Sequence, residues 1–394
     1  MHPTDFVGGH RQHAYHADPL YYEGRADGLL ASASDGTAGA VAAFERAGAP
    51  LTAAGARAVV AAEHGYDGWA DLLEHVAALE SSDDPFLVAH RAVEAHDVEG
   101  LAAALDAAPD VVREVGTNGN DLLGMAAYTC DERTVGLLLE RGADVAHANA
   151  HGWTALHQAA SAGLVPLSRL LLDAGAPVAV EARGTGGTPL IVALFWGQAG
   201  TAELLAARSL APGNLRVAAG LGDLDLLDTL LPADGPAASA AGAARGFYRP
   251  HGGFPAWTPG DDPAEIVDEA LTWAARNDRA DALRVLVDRG ARVDADVYRG
   301  TALAWAAATG RVAAIEALVA LGADVDARGT FGGPQHGEAV TALDLAAQSG
   351  ATEAVRALVA AGADRGLRDA LYDGTPADWA AHAGADEAAA LLRG

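Results

Sequence analysis

A histidine and a glutamate lie two residues apart in one glycine-containing segment, at His336 and Glu338. Both side-chain types exchange protons, so this pair could perform general acid–base chemistry. His251 lies in a second segment, rich in glycine, proline and aromatic residues, and is the next catalytic candidate. A solvated loop without catalytic function is the alternative for all three residues, and the choice depends on the elements that position them.

Three histidines near the start of the chain, His10, His13 and His16, have a spacing that could bind a divalent metal if they lay on a helix. No cysteine accompanies them, so adventitious binding is expected rather than a metal site. The sequence also contains no phosphate-binding glycine-rich loop, nucleophile elbow or zincin motif. We therefore expect neither a metal nor a cofactor.

The elements that carry the candidate residues repeat along the chain. One unit, from Asn149, reads NAHGWTALHQAASAGLVPLSRLLLDAGAPV, and a related unit begins at Gly116. Gly119 and Gly152 occupy equivalent places in the two units, 33 residues apart. The pattern predicts a turn, a short helix, a glycine turn and a second apolar helix. Such a unit cannot bury its own apolar face, so the predicted fold is an all-α stack of repeats.

This unit resembles the repeat of the ankyrin family. Residues Thr154 to His157 match that family's TPLH motif, and Gly142 to Val145 and Gly322 to Val325 match its GADV exit. The resemblance covers residues 84–394 and implies an ankyrin-repeat solenoid of about six to eight helix-turn-helix units. Two insertions, at 232–263 and 328–340, interrupt the period. Repeat arrays often extend such insertions from their binding face.

The residues before the array divide into two predicted segments. Residues 1–23 are expected to be flexible, and residues 24–83 carry the periodicity of three or four helices. The stretch from Thr52 to Glu80 resembles a helical segment that often precedes ankyrin arrays in bacterial proteins. A cap that shields the apolar face of the first repeat is the simplest role for these helices.

In the ankyrin family, partners are contacted by the turn tips and by the ends of the first helices. A groove lined by Trp, Tyr, His and Arg has the composition of a recognition surface. The ligand-binding candidates at these positions are Tyr128, His151, Trp153, Phe195, Trp196, Arg276, Tyr298, Arg299 and Tyr372. Asn277, the residue after Arg276, also lies at the end of a first helix. The turn tips are expected to line one concave surface.

Four other residues with distinctive side chains are interpreted as structural. His157 lies in the motif where ankyrin histidines tie neighbouring turns together. Trp273, Trp305 and Trp379 each precede an Ala-Ala pair, where family members usually have a core leucine. We therefore expect these tryptophans in the core, with partners for their N–H groups.

The first insertion is unusual for a loop because it is rich in aromatic residues. Its ligand-binding candidates are Arg249, His251 and Trp257, beside Phe247, Tyr248 and Phe254. Two interpretations remain open: a small local core, or a lid over the groove with Arg249 and His251 pointing inward. If the segments 246–257 and 331–338 emerge on the same side, they would enclose a pocket that could attract an anionic ligand.

Composition narrows the classes of partner. The formal net charge of -27 argues against binding to nucleic acid, since a polyanion repels phosphate backbones. No stretch approaches the roughly 18 consecutive apolar residues that a membrane helix requires. The single cysteine, Cys130, excludes a disulfide within the chain and favours a reducing compartment. A cytoplasmic monomer is therefore expected.

Two functional hypotheses follow from these observations. The first is a noncatalytic binding protein that recognises a partner protein or a small ligand in the concave groove. The second is an enzyme that uses the groove and both insertions for acid–base chemistry on a small metabolite. An open groove would favour a protein partner, and a deep enclosed pocket would favour a small molecule.

Overall fold

The computed structural model describes residues 12–34, 36, 38–182, 186–208, 211, 213–234, 237–246, 257–329, 331 and 339–393. Throughout these ranges the chain is α-helical with short 3-10 turns, and its β-type pairing consists of isolated bridges. It forms two compact units, which meet in sequence near residues 160–183. None of the helices in the described ranges is both long and apolar enough to span a membrane.

The described part of the first unit contains ten α-helices. Four of them precede the repeats: α1 (Pro19–Ser34), α2 (Ala38–Ala47), α3 (Ala53–Glu63) and α4 (Trp69–Ala77). Three antiparallel pairs follow: α5 (Pro85–Glu94) with α6 (Val98–Ala107), α7 (Leu122–Tyr128) with α8 (Glu132–Glu140), and α9 (Ala155–Ser161) with α10 (Val165–Asp173). The last two residues of α9 group with the second unit.

The helical part of the chain begins earlier than the sequence predicted. Helix α1 starts at Pro19 rather than near residue 24, because Asp18 Oδ1 accepts the backbone N–H of Leu20 at 2.9 Å. The preceding residues are also hydrogen-bonded: the N–H of His13 donates to Val115 O at 3.0 Å. The histidine spacing alone did not predict these contacts.

The described residues of the second unit form six helix pairs. They are α11 (Pro189–Phe195) with α12 (Ala199–Ala206), α13 (Leu215–Leu221) with α14 (Leu224–Leu230), α15 (Pro263–Arg276) with α16 (Ala280–Asp288), α17 (Ala302–Ala308) with α18 (Val312–Ala320), α19 (Ala342–Gln348) with α20 (Thr352–Ala360), and α21 (Pro376–His382) with α22 (Asp386–Arg393). The described chain thus holds nine pairs, more than the six to eight predicted. Helix α15, which follows the first insertion, has 14 residues, whereas the first helices of the adjacent pairs, α13 and α17, have seven each.

Threonine caps and exit glycines define the repeats. Thr188, Thr301, Thr341 and Thr375 each cap the following helix through the side-chain oxygen, as the motif predicts. The glycine after each of five second helices has φ between 87° and 100°, a left-handed conformation that a side chain disfavours; they are Gly142, Gly175, Gly290, Gly322 and Gly362.

Small residues allow the first helices to pack closely. The Ala-Ala pairs at 306–307 and 346–347 are fully buried, and Leu303 and Leu343 lie beside them in the core of the second unit. The core tryptophans are also buried, as expected: Trp273, Trp305 and Trp379 are 5%, 2% and 9% exposed. This packing fixes the positions of the side chains described below.

Two copies of the same capping box differ in burial and predict opposite pH effects. Asp344 accepts the N–H of Thr341 at 2.7 Å in the core, and burial raises its pKa to about 6. The folded chain therefore holds a proton there that the unfolded chain releases, and stability falls as pH rises from about 4 to about 6. Relative to the wild type, Asp344→Asn should become more stable over that range, by on the order of 3 kcal/mol.

Asp378 supplies the matched control, because it makes the same bonds to Thr375 on the surface. Those hydrogen bonds lower the pKa of Asp378, so its contribution is present above the unfolded pKa and is lost as pH falls. Asp378→Asn should therefore lose stability relative to the wild type as pH rises. Urea unfolding at pH 2 to 7 measures both trends, the effect of Asp344→Asn between about pH 4 and 6 and that of Asp378→Asn below about pH 4. A common trend for both variants would contradict the assignment.

Candidate functional site

A pocket in the second unit brings charged and aromatic side chains together. It lies among α11, α13, α15 and the turn before α17, and it is lined by Phe195, Arg216, Glu269, Trp273, Arg276 and Tyr298, with Trp257 beside them. We call this the arginine–aromatic pocket. Its cavity of about 20 Å³ holds roughly one water molecule. A ligand could insert only a small group without rearrangement.

Arg276 closes α15 and is 2% exposed. Its guanidinium carbon lies 3.4 Å from the ring centroid of Trp305 and 4.1 Å from that of Phe195, which is cation–π geometry. One terminal nitrogen donates to Phe195 O at 3.2 Å, whereas Nε has no hydrogen-bond partner. Burial, opposed by Glu269 and reinforced by Arg216, lowers the pKa of Arg276 to about 9. The group remains a cation at neutral pH.

Glu269, about two helical turns before Arg276 on α15, neutralises part of the positive charge. Its Oε1 accepts Arg216 Nη1 at 2.9 Å, and its Oε2 accepts Arg245 Nη1. Arg216 also donates to Gly246 O at 2.8 Å, so the first insertion is tied to the pocket at its described end. Because both carboxylate oxygens are held by arginines, Glu269 is suited to charge compensation rather than to proton transfer.

Aromatic side chains form the mouth of the pocket. Trp257 stacks on Tyr298 with ring centroids 5.3 Å apart, and both are half-buried. Phe331, near the start of the second insertion, contacts Trp305 at 4.6 Å. A backbone bridge between Gly329 and Val340 brings the two ends of that insertion together. The described ends of both insertions thus reach the segment that contains Tyr298 and Trp305.

The structure separates the other candidates of the second unit by burial. Arg276 and Asn277 are buried rather than exposed at the helix end, because Asn277 Nδ2 donates to Leu194 O at 2.8 Å and bridges neighbouring first helices. Arg299 is also buried, in a left-handed conformation. Trp196 is half-buried against Phe195, and Tyr372 is 63% exposed beside Trp379. Tyr372 is not among the residues that line the pocket.

The candidates of the first unit lie on turn and helix ends. Tyr128 is 72% exposed and His151 is exposed. Trp153 is half-buried and donates its ring N–H to Gln158 Oε1 at 2.9 Å. His157 is fully buried and its Nδ1 lies 2.8 Å from Thr154 Oγ1, in agreement with a structural role.

Several candidates lie outside the described residues: Arg249 and His251 of the first insertion, and His336 and Glu338 of the second. The acid–base hypothesis and the inward-facing lid therefore stay predictions. Within the described ranges, no group of three or more His, Cys, Asp or Glu side chains could hold a metal ion. His13 instead stacks on Phe86 and contacts Glu114 at 2.9 Å.

Sequence reasoning missed Arg216, Arg245 and Glu269. A signal was present, because Arg216 and Glu269 are charged residues inside apolar first helices, LRVAAGL and PAEIVDEALTWAAR. A charge in a helix that must pack on both sides indicates a buried pair. Arg245 has no comparable signal, because it belongs to an insertion without a repeat register.

Comparison with known protein families shows that the repeats match ankyrin-repeat profiles. The profile described as "Ankyrin repeats (3 copies)" matches residues 89–182, 122–213 and 215–329, and the profile "Ankyrin repeat" matches residues 340–370. Together these matches cover most of the described helix pairs and all the helices that line the pocket.

Individual relatives match smaller parts of the chain. "Protein PhlB" of Serratia liquefaciens is 36% identical over 136 residues, 34% of this chain and 58% of that protein. "Ankyrin repeat and KH domain-containing protein mask" of Drosophila melanogaster is 37% identical over 97 residues, 24% of this chain and 2% of that protein. The human ASB11 ankyrin repeat domain has a TM-score of 0.35 at 22% identity, over 70% of this chain and 98% of the domain. The chain therefore spans less than two thirds of either curated relative.

Proposed function

This chain belongs to the ankyrin-repeat family, whose repeats form an all-α solenoid and generally mediate protein interactions. We therefore propose that it is a noncatalytic binding protein. We further propose that it binds a small ligand in the arginine–aromatic pocket. One observation carries this choice: the half-buried, stacked rings of Trp257 and Tyr298 line a mostly apolar cavity into which Arg216, Glu269 and Arg276 also project. Apolar walls with a few convergent polar groups are the usual composition of a small-molecule site.

The enzyme hypothesis lacks a supporting observation of this kind. The acid that lines the described part of the pocket, Glu269, is held by Arg216 and Arg245. A general base must reach the proton it abstracts, and both oxygens of this carboxylate already accept hydrogen bonds. The binding hypothesis requires no proton transfer from Glu269 and is compatible with its ion pairs to Arg216 and Arg245.

Cellular location and oligomeric state are further parts of the proposal. The one cysteine, Cys130, is exposed and unbridged, and we propose a cytoplasmic monomer. We also propose that α1 to α4 cap the array. Arg91 of α5 supports this role, since it donates to Leu79 O at 3.1 Å and Ser82 O at 2.6 Å and ties the preceding segment to the first repeat.

Equilibrium dialysis of the full-length protein against a low-molecular-weight cell extract tests the proposal. We expect the folded protein to retain at least one small molecule, identified by mass spectrometry, that the same protein unfolded in urea does not retain. Retention equal to that of the unfolded chain would contradict a small-molecule function and would favour a protein partner on an exposed repeat surface.

A further inference from the structure

We infer that the arginine–aromatic pocket selects a ligand with an anionic oxygen group, a carboxylate or a phosphate, which binds to the guanidinium groups of Arg216 and Arg276. This inference rests on the proposed binding function and adds the chemical class of the ligand. It depends on three features of the pocket: its charge balance, its unused hydrogen-bond donors and its size.

The buried charges around the pocket do not balance. Arg216, Arg245 and Arg276 are 2%, 6% and 2% exposed, and Glu269 is the acid buried with them, at 4%. Glu265 adds some negative charge, since its carboxylate lies 3.8 Å from Arg245, but its side chain is 28% exposed and so compensates the buried charge only in part. Taking a charge out of water is costly unless an opposite charge compensates it. The cluster therefore has at least one cation in excess, and an anionic ligand would compensate it.

The neighbouring buried acid is already engaged. Asp268 is 2% exposed, and its two oxygens accept the backbone N–H of Arg292 at 2.7 Å and the Arg292 guanidinium at 2.5 Å. Its charge is therefore compensated by Arg292. The excess positive charge on Arg216 and Arg276 remains, in a protein whose formal net charge is -27.

Two of the arginines also have unused donors. The Nε atoms of Arg216 and Arg276 are buried and have no hydrogen-bond partner, and both residues line the pocket. Buried polar atoms in native proteins are nearly always hydrogen-bonded, so two such donors around one cavity require an explanation. Guanidinium N–H groups bond carboxylate and phosphate oxygens more strongly than neutral acceptors. An anion in the cavity would compensate the excess charge and offer acceptor oxygens to the two guanidinium groups that line it.

The size of the cavity restricts the shape of the ligand. About 20 Å³ is room for roughly one water molecule, so a head-group oxygen can enter while the rest of the ligand stays at the mouth. There the rings of Trp257 and Tyr298 offer a flat apolar surface. The favoured ligand is accordingly a small anion with a planar or aromatic body.

Isothermal titration with matched probes tests the inference on the unmodified protein. Benzoate and benzamide have nearly the same shape and differ in charge, and phenyl phosphate replaces the carboxylate by a phosphate. We expect benzoate or phenyl phosphate to bind at least about tenfold more tightly than benzamide, as for hydrogen bonds between charged groups. The ratio between the two anions identifies which head group the pocket prefers.

Two charge-removing variants locate the effect. Arg276→Met should abolish the preference for the anion, whereas Arg284→Met should preserve it, because Arg284 is exposed on α16 and pairs with Asp281. If Arg276→Met fails to fold, the comparison of the probes on the wild type still decides.

Equal affinity for benzoate, phenyl phosphate and benzamide, absence of detectable anion binding at millimolar concentration, or an anion preference that survives in folded Arg276→Met would each overturn the inference. The proposed function is tested separately: if dialysis retains a small molecule but the three probes bind equally, binding is upheld and the anion preference is overturned.

Discussion

Replacing Glu269 with glutamine is expected to lower the free energy of unfolding by about 3–5 kcal/mol, the usual effect of breaking a buried ion pair. The substitution keeps the size of the side chain and removes the charge that Arg216 and Arg245 share. Arg216 would then be buried without a counterion, and Arg245 would keep only the partly exposed Glu265. Urea unfolding followed by tryptophan fluorescence and circular dichroism measures the effect.

Glu265→Gln is the matched control, because it removes the same charge from the same helix at a partly exposed position. Exposed ion pairs contribute roughly 0–1 kcal/mol, so this variant should stay close to the wild type. Similar losses for the two variants would show that Glu269 is not the central counterion of the cluster.

The second large effect is expected in the first unit. Leu156→Ala removes a fully buried side chain from α9 and should destabilise that unit by about 2–5 kcal/mol. The loss combines reduced apolar burial with the cavity that rigid neighbouring helices leave open. Thermal and urea unfolding of the full chain should both report it.

Leu20→Ala controls for the change of residue type, since Leu20 is 74% exposed on α1. Its unfolding should differ little from that of the wild type. If Leu156→Ala were as stable as Leu20→Ala, the repeat around Thr154 would not be packed as the structure describes.

The repeats were predictable from sequence because local chemistry recurs at each unit. Thr301 and Thr341 cap their helices through bonds to a residue three positions ahead, and Gly322 adopts the left-handed conformation that ends a second helix. Such interactions span a few residues and therefore appear directly in the sequence pattern. The ankyrin-repeat fold follows from their period.

The candidate site was only partly predictable, because its contacts are long-range. Phe195, Arg276 and Tyr298 were candidates from their repeat positions and Trp257 from the aromatic insertion, and all four line one pocket. The Arg216–Glu269 pair joins residues 53 positions apart across the first insertion. No local pattern specifies such a pairing, which depends on how α13 packs against α15.

Burial was the property that position alone predicted least well. Arg276 and Arg299 were expected to be exposed contact residues, and both are buried. The neighbouring aromatic rings explain the difference for Arg276, because Phe195 and Trp305 provide cation–π partners on two sides. The predicted start of the helical region was also wrong. Residues 12–18 are held by contacts with residues far away in the sequence, such as the hydrogen bond from His13 to Val115, and a local pattern does not show such contacts.

The most direct test of the central claim is to repeat the extract dialysis with Tyr298→Ala and Tyr372→Ala. Both variants delete a turn-tip tyrosine of the second unit, but Tyr298 lines the pocket and Tyr372 packs on Trp379 elsewhere. We predict that Tyr298→Ala reduces retention of the small molecule by about tenfold or more, as loss of a central aromatic contact commonly does, whereas Tyr372→Ala retains it like the wild type. Equal retention by both variants would contradict a ligand site in the arginine–aromatic pocket.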